Sequence, residues 1–130
     1  MKANLPAVAK WIVAFVVAQW LQIPTVGRVL VGMVLIDYAT GWASAFVRKE
    51  LSSDIGRRGI VKKAMILLLP LVVHLVETAS GVSINASHAV AMAFVANELI
   101  SIVENAHKIG APIPPQLVDV LLSVQKLKKS

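Results

Sequence analysis

The sequence predicts an all-α integral membrane protein with four short transmembrane helices, or three in the alternative reading, and a C-terminal amphipathic helix. Three observations carry that prediction. Hydrophobic residues fill 57% of the 130 positions and charged ones only 15%, whereas a soluble domain has about 45–50% and about 25%. Mean hydropathy is +0.74. The basic residues stand in clusters between apolar runs. A chain of this length buries only about two-thirds of its unfolded surface, so much of the apolar excess would face water in a soluble monomer. Lipid is the solvent that suits it.

A spanning helix needs about 17–25 mainly apolar residues. The first run covers 5–23, with Lys10 near its start and Gln19 and Gln22 near its end, and Pro24 breaks it. The small-x-small site of a cleaved leader is missing after Trp11 to Ala18, so this run reads as an uncleaved span. The second run covers 25–47 and follows so closely that a helical hairpin around Pro24 is expected. The third, 64–80, is short and carries Pro70, His74 and Glu77. Hydropathy alone could demote it, which gives the alternative of three spans plus an interfacial helix. The fourth covers 83–103. Gly110 is placed to stop that helix, and Pro112, Pro114 and Pro115 enforce a turn before the next. Leu117, Leu121, Val124 and Leu127 then repeat at helical spacing, and Lys126, Lys128 and Lys129 make the end of the chain basic. Such a helix suits an anionic membrane surface or a neighbour in an oligomer. The organisation is thus a helical membrane domain, 1–110, and a C-terminal helix with a basic tail, 111–130.

Orientation follows from the basic residues in short loops, which favour the cytoplasm. Arg48, Lys49, Arg57, Arg58, Lys62 and Lys63 lie between the second and third runs, and the C-terminal tail is basic, while 80–87 has no Lys or Arg. Both termini are therefore expected in the cytoplasm, with Lys2 and Lys10 inside and Arg28 outside. Trp11, Trp20 and Trp42 fall near span ends, as aromatic belts do. The net charge of +6 is accounted for by topology and anionic headgroups, so nucleic acid is not an expected partner.

The polar residues inside the runs share faces. Asp37, Thr40, Gly41 and Ser44 form one helical stripe. Pro70, His74, Glu77, Thr78 and Gly81 form a second, and Asn97, Ser101, Glu104 and Asn105 a third, with Glu98 at its border. An acidic side chain at mid-bilayer costs about 2.5–3.5 kcal/mol on insertion scales, so these stripes should face one another, a neighbouring subunit or water. One reading makes them interhelical hydrogen-bond glue. The favoured one makes them the lining of an opening or an oligomer interface. Ala89, Ala93, Asn97 and Ser101, with Gly41 and Ala45, allow the close approach that oligomerisation needs.

Catalytic patterns are missing: no His-Glu-x-x-His, Gly-x-Ser-x-Gly, phosphate loop or dinucleotide glycine pattern occurs. No cysteine is present. His74 and Glu77 lack a third ligand of matched spacing, and Ser52-Ser53 before Asp54 reads as the cap of a short helix. Neither an enzyme nor a cofactor or metal is expected.

Four blocks stand in order: Asp37-Tyr38-Ala39-Thr40-Gly41; Ser52-Ser53 with Gly56, Gly59 and Lys62-Lys63; Asn97-Glu98-Leu99-Ile100-Ser101-Ile102-Val103-Glu104-Asn105; and Gly110-Ala111-Pro112-Ile113-Pro114. Across 35–127 the chain resembles the bacteriophage holins of the toxin-secretion and phage-lysis type, which include holin-like proteins encoded beside large clostridial toxins. The resemblance implies a multi-pass protein of the bacterial inner membrane that accumulates harmlessly and then assembles, as a homo-oligomer in the bilayer, into lesions. Through these an endolysin reaches the cell wall, or a folded protein such as a toxin leaves, and lysis is timed. The residues supply a mechanism for that behaviour. Polar stripes hidden in small clusters meet water only once enough subunits line a rim. Asp37 and Glu98 then bias the switch, and the basic loop anchors the cytoplasmic side. Two other classes fit the same stripes: a small proton-coupled transporter using Asp37, His74 and Glu77 as a relay, and a non-catalytic assembly or docking subunit.

Overall fold

Apolar runs separated by proline and glycine become five α-helices in this computed structural model, which describes residues 6–129 apart from the side chains at 55, 124, 125, 127 and 128. They are α1 (Ala7–Gln22), α2 (Thr25–Val47), α3 (Ser53–Ser80), α4 (Ala86–Lys108) and α5 (Pro115–Lys129), with no strand among the described residues. Lys2 and Leu5, at the expected start of the first span, lie outside that description. So do the side chains of Val124 and Leu127 in the expected amphipathic stripe and of Lys128 in the tail.

Local chemistry sets the ends. Pro24 cannot continue α1 and holds Ile23 extended, with ψ of 131°. At the end of α4, Gly110 adopts a φ of +79°. That left-handed turn lets the Ala111 N–H reach the carbonyl of Ala106 at 3.0 Å and the Gly110 N–H reach that of His107 at 3.0 Å, which satisfies the last free carbonyls. The end of α2 is closed the same way, with the Glu50 N–H on the Ala45 carbonyl at 2.9 Å and Lys49 in the left-handed position at φ 57°.

The three central helices make the core. α2 and α4 share the most extensive contact, and α3 packs on both. Leu30, Val34, Ile66 and Ala91 form a buried apolar cluster, flanked by Val26, Leu67, Phe94 and Val95. Most other large apolar side chains are exposed, among them Leu68, Leu71 and Leu75 of α3. A helix apolar on its outward faces belongs in hydrocarbon. α2, α4 and residues Gly56–Ser80 of α3 are each long and apolar enough to cross a membrane.

Several expectations are corrected here. The hairpin of the first two spans does not form: α1 has no buried residue and no extensive packing on any other helix. The third run, expected at 64–80 and open to demotion, is the longest helix. It starts at Ser53 and runs 28 residues through Pro70, which is buried against the bundle, where neighbouring helices tolerate the lost backbone bond. Consequently Ser53 opens this long helix, not a short one, and Arg57, Arg58, Lys62 and Lys63 are helical, leaving only a short connection after Arg48. The fourth run begins later and ends later than 83–103. By length, the alternative of three spans falls on α1 instead of α3: 16 residues extend about 24 Å, short of the roughly 30 Å hydrocarbon core.

Candidate functional site

The middles of α2 and α4 each carry an acid on the face turned to the other helices. Asp37 is 5% exposed and Glu98 2%. α3 supplies the counter-charge. Lys63 donates from Nζ to both Asp37 Oδ2 and Glu98 Oε2, joining three helices through one ammonium group. Asn105, also buried, donates from Nδ2 to Asp37 Oδ1 at 3.0 Å and to Thr40 Oγ1 at 3.1 Å. Thr40 in turn donates to the Asp37 carbonyl at 3.0 Å. A lone carboxylate in hydrocarbon is costly, and one paired and hydrogen-bonded inside a bundle is the arrangement such residues adopt.

Lys63 reaches this position because α3 presents a narrow face there. Gly56, Gly59, Lys63, Ile66 and Pro70 recur at helical spacing and turn inward. The glycines bring α3 close to the rings of α2. A methyl group built on Gly56 would lie 2.9 Å from Trp42 Cζ2, and one on Gly59 3.6 Å from Tyr38 Cε2. Those two rings meet edge to face, with centroids 6.1 Å apart. Between α2, α3 and α4 an open recess of about 210 Å³ remains, bordered by Asp37, Tyr38, Gly41, Trp42, Lys63, Ser101 and Asn105 among others.

The polar stripes thus have different fates. Asp37, Thr40, Gly41 and Ser44 on α2 and Glu98 and Asn105 on α4 are brought together inside one chain, with Ser44 buried and Gly41 beside Asn105. Ser101 borders the recess, and Asn97 is half-buried. Glu104 is exposed, at a second recess of about 250 Å³ that Val103 and His107 share with Ile113, which precedes α5, and with Val118 and Leu121 of α5. Glu77 takes part in none of this. Its carboxylate accepts from the Ala86 N–H at 2.5 Å and from Ser87 Oγ at 2.5 Å, supplying the N-terminal cap that Asn85, left-handed at φ 54°, does not give to α4. His74 is exposed on the outer side of α3. Among the described residues no group of three acids or histidines is placed to hold a metal ion.

The basic residues divide likewise. Arg48 pairs with Glu50 at 2.9 Å and Arg57 with Asp54 at 2.7 Å, all well exposed; Lys49, Arg58 and Lys62 are exposed too. Lys63 alone of the expected loop set turns inward, its side chain 17% exposed. Sequence reasoning placed it with the loop cations and missed its role. The signal was its spacing from Gly56, Gly59 and Pro70, which sets it about 100° round the helix from Lys62.

Fold and site together define a small helical membrane protein whose spans close around an internal ion cluster. The chain belongs to the bacteriophage holin family, whose model matches residues 11–126. It is 33% identical over 87 residues to a protein of Bacillus phage phi105 named "Probable holin", covering 67% of this chain and 64% of that one. It is 34% identical over 110 residues to an uncharacterized protein of Halalkalibacterium halodurans, covering 81% and 79% of the two chains. An uncharacterized protein of Clostridium perfringens is 36% identical over 101 residues, covering 76% of each chain. No solved structure matches.

Proposed function

We propose that this protein is a holin that oligomerises in the bacterial inner membrane, forms lesions there, and times lysis by releasing an endolysin or another exported protein. The observation that carries the reading is the Asp37–Lys63–Glu98 cluster. The buried charges Asp37, Lys63 and Glu98 of α2, α3 and α4 are satisfied within one chain, while the outward faces are mainly apolar. A protomer in this state accumulates in lipid without disturbing it. A lesion needs a wetted wall, and the residues able to supply it are those now turned inward. Separation of the three helices in a crowded assembly exchanges the internal pairs for water and for neighbouring subunits, so onset depends steeply on chain density. Nothing in such a mechanism calls for catalysis.

Timed expression in bacteria, with and without a cytoplasmic endolysin, tests this. Abrupt loss of membrane potential at a threshold, with lysis only when the endolysin is present, is the expected result. Solute flux across a membrane that keeps its potential would refute it and favour a transporter.

The same reading places four spans across the membrane with both termini in the cytoplasm. The chain has no cysteine, so single cysteines can be introduced without background. A membrane-impermeant thiol reagent added to spheroplasts is expected to label Ser83→Cys and to spare Lys49→Cys and Lys10→Cys. Labelling at Lys10→Cys would show instead that α1 does not span.

A further inference from the structure

Two polar pairs on the outer surface make no side-chain hydrogen bond to another helix of the protomer. On α3, His74 and Thr78 stand one turn apart among exposed Leu71, Leu75 and Val76. Thr78 Oγ1 donates to the His74 carbonyl at 2.8 Å, which leaves its lone pairs and the imidazole ring open to other groups. On α1, Gln19 and Gln22 are exposed in a helix that has no buried residue. Amides and imidazoles inside a membrane turn to protein or water, not to acyl chains.

We propose that α1 of one copy docks on the outward face of α3 in a second copy, with Gln19 against His74 and Gln22 against Thr78. The proposal rests on the holin reading with α1 as a span, and names the surface through which copies meet. In that topology α1 and α3 run in the same direction across the bilayer, and both end at its outer side. Gln19 and Gln22 are about 4.5 Å apart along their axis, and His74 and Thr78 about 6 Å. Each pair lies on a single helix face near that common end, so the two pairs meet in register. The chemistry also matches. A glutamine amide both donates and accepts, imidazole does the same, and the Thr78 oxygen, its proton committed, still accepts. The extended link at Ile23 and Pro24 holds α1 away from its own bundle, which leaves it available to another. Because donor and acceptor surfaces differ, the contact is heterologous: each added copy presents a free α1 at one edge and a free α3 face at the other. Such contacts build rings or open arcs, not closed pairs, as a growing rim requires.

Disulfide cross-linking in the full-length chain tests this. Gln19→Cys and His74→Cys chains carrying tags of different size are co-expressed, and membranes are oxidised after both chains are detected by immunoblot. The expected product is the mixed dimer, formed several-fold more than with Val17→Cys, which lies on the opposite side of α1, in place of Gln19→Cys. Gln22→Cys with Thr78→Cys should reproduce the pattern if the first pair accumulates poorly. Equal yields from both faces of α1, or no mixed dimer from either pair, overturn the docking. So does a chain carrying both Gln19→Cys and His74→Cys that closes only on itself. Membrane potential followed in the same cells keeps the two ideas apart. Threshold collapse without the face-specific cross-link defeats the docking alone, whereas cells of the unsubstituted chain that never depolarise defeat the holin reading.

Discussion

Lys63→Met is expected to collapse the membrane potential well before the unsubstituted chain does at equal abundance in the membrane. Methionine keeps much of the lysine stem's volume and removes its charge, so two carboxylates at 5% and 2% exposure lose the cation that joined them. Breaking a buried pair by removing one partner costs about 3–5 kcal/mol, a large share of the 5–15 kcal/mol or so that holds an ordinary domain together. The loss falls on the closed protomer, because separated helices give those carboxylates water. Timing of potential loss, read with a voltage-sensitive dye and normalised to immunoblot signal, checks the result. A triple variant, Asp37→Asn, Lys63→Met and Glu98→Gln, removes all three charges and is expected to restore late onset. Early collapse in the triple variant as well would show that packing, not charge, sets the timing.

The helices were legible in the sequence where punctuation was strong. Pro24 and Gly110 end α1 and α4 as their chemistry dictates, and the start of α5 at Pro115 follows from the proline turn before it. The start of α3 was not legible. Hydropathy sees the basic stretch before Ala64 as a break, but its residues sit comfortably in a helix, and the charges are either exposed or, for Lys63, matched from other elements. The apolar character of α1 was equally clear, yet where it packs is a tertiary property that no local pattern encodes. For the site, helical spacing identified the stripes of α2 and α4 because each has its own period. Their mutual pairing through Lys63 depends on the rotation of a third helix. That rotation is fixed by the close approach of Gly56 and Gly59 to Trp42 and Tyr38. Glu77 shows the opposite failure. Its position on the α3 stripe was plain, but its acceptors are taken by the first residues of the next helix, and this follows only from the turn at Gly81.

Glu98→Gln is expected to act in the other direction and delay onset. The cluster sets two carboxylates around one ammonium group. Two like charges gathered on one ammonium group repel, by about 4 kcal/mol for unit charges at about 4 Å in an effective dielectric of about 20, partly offset by the shared cation. Glutamine at 98 keeps an oxygen that accepts from Lys63 Nζ, removes the repulsion, and leaves Lys63 matched one to one with Asp37. Asp37 also keeps its bond from Asn105. The closed protomer is thereby stabilised relative to helices separated in water, and a higher chain density is needed to open it. Neutralising Asp37 as well reverses the sign. In the Asp37→Asn, Glu98→Gln chain, Lys63 is left as an unpaired ammonium among apolar helices, and onset should come early, as in Lys63→Met. This late-then-early order distinguishes a charge-matching switch from a simple loss of contacts, in which each added substitution would move onset further the same way. Measured at matched abundance, a Glu98→Gln chain that opens early, or a double variant later than the single one, would defeat the assignment of Lys63 as the balancing charge.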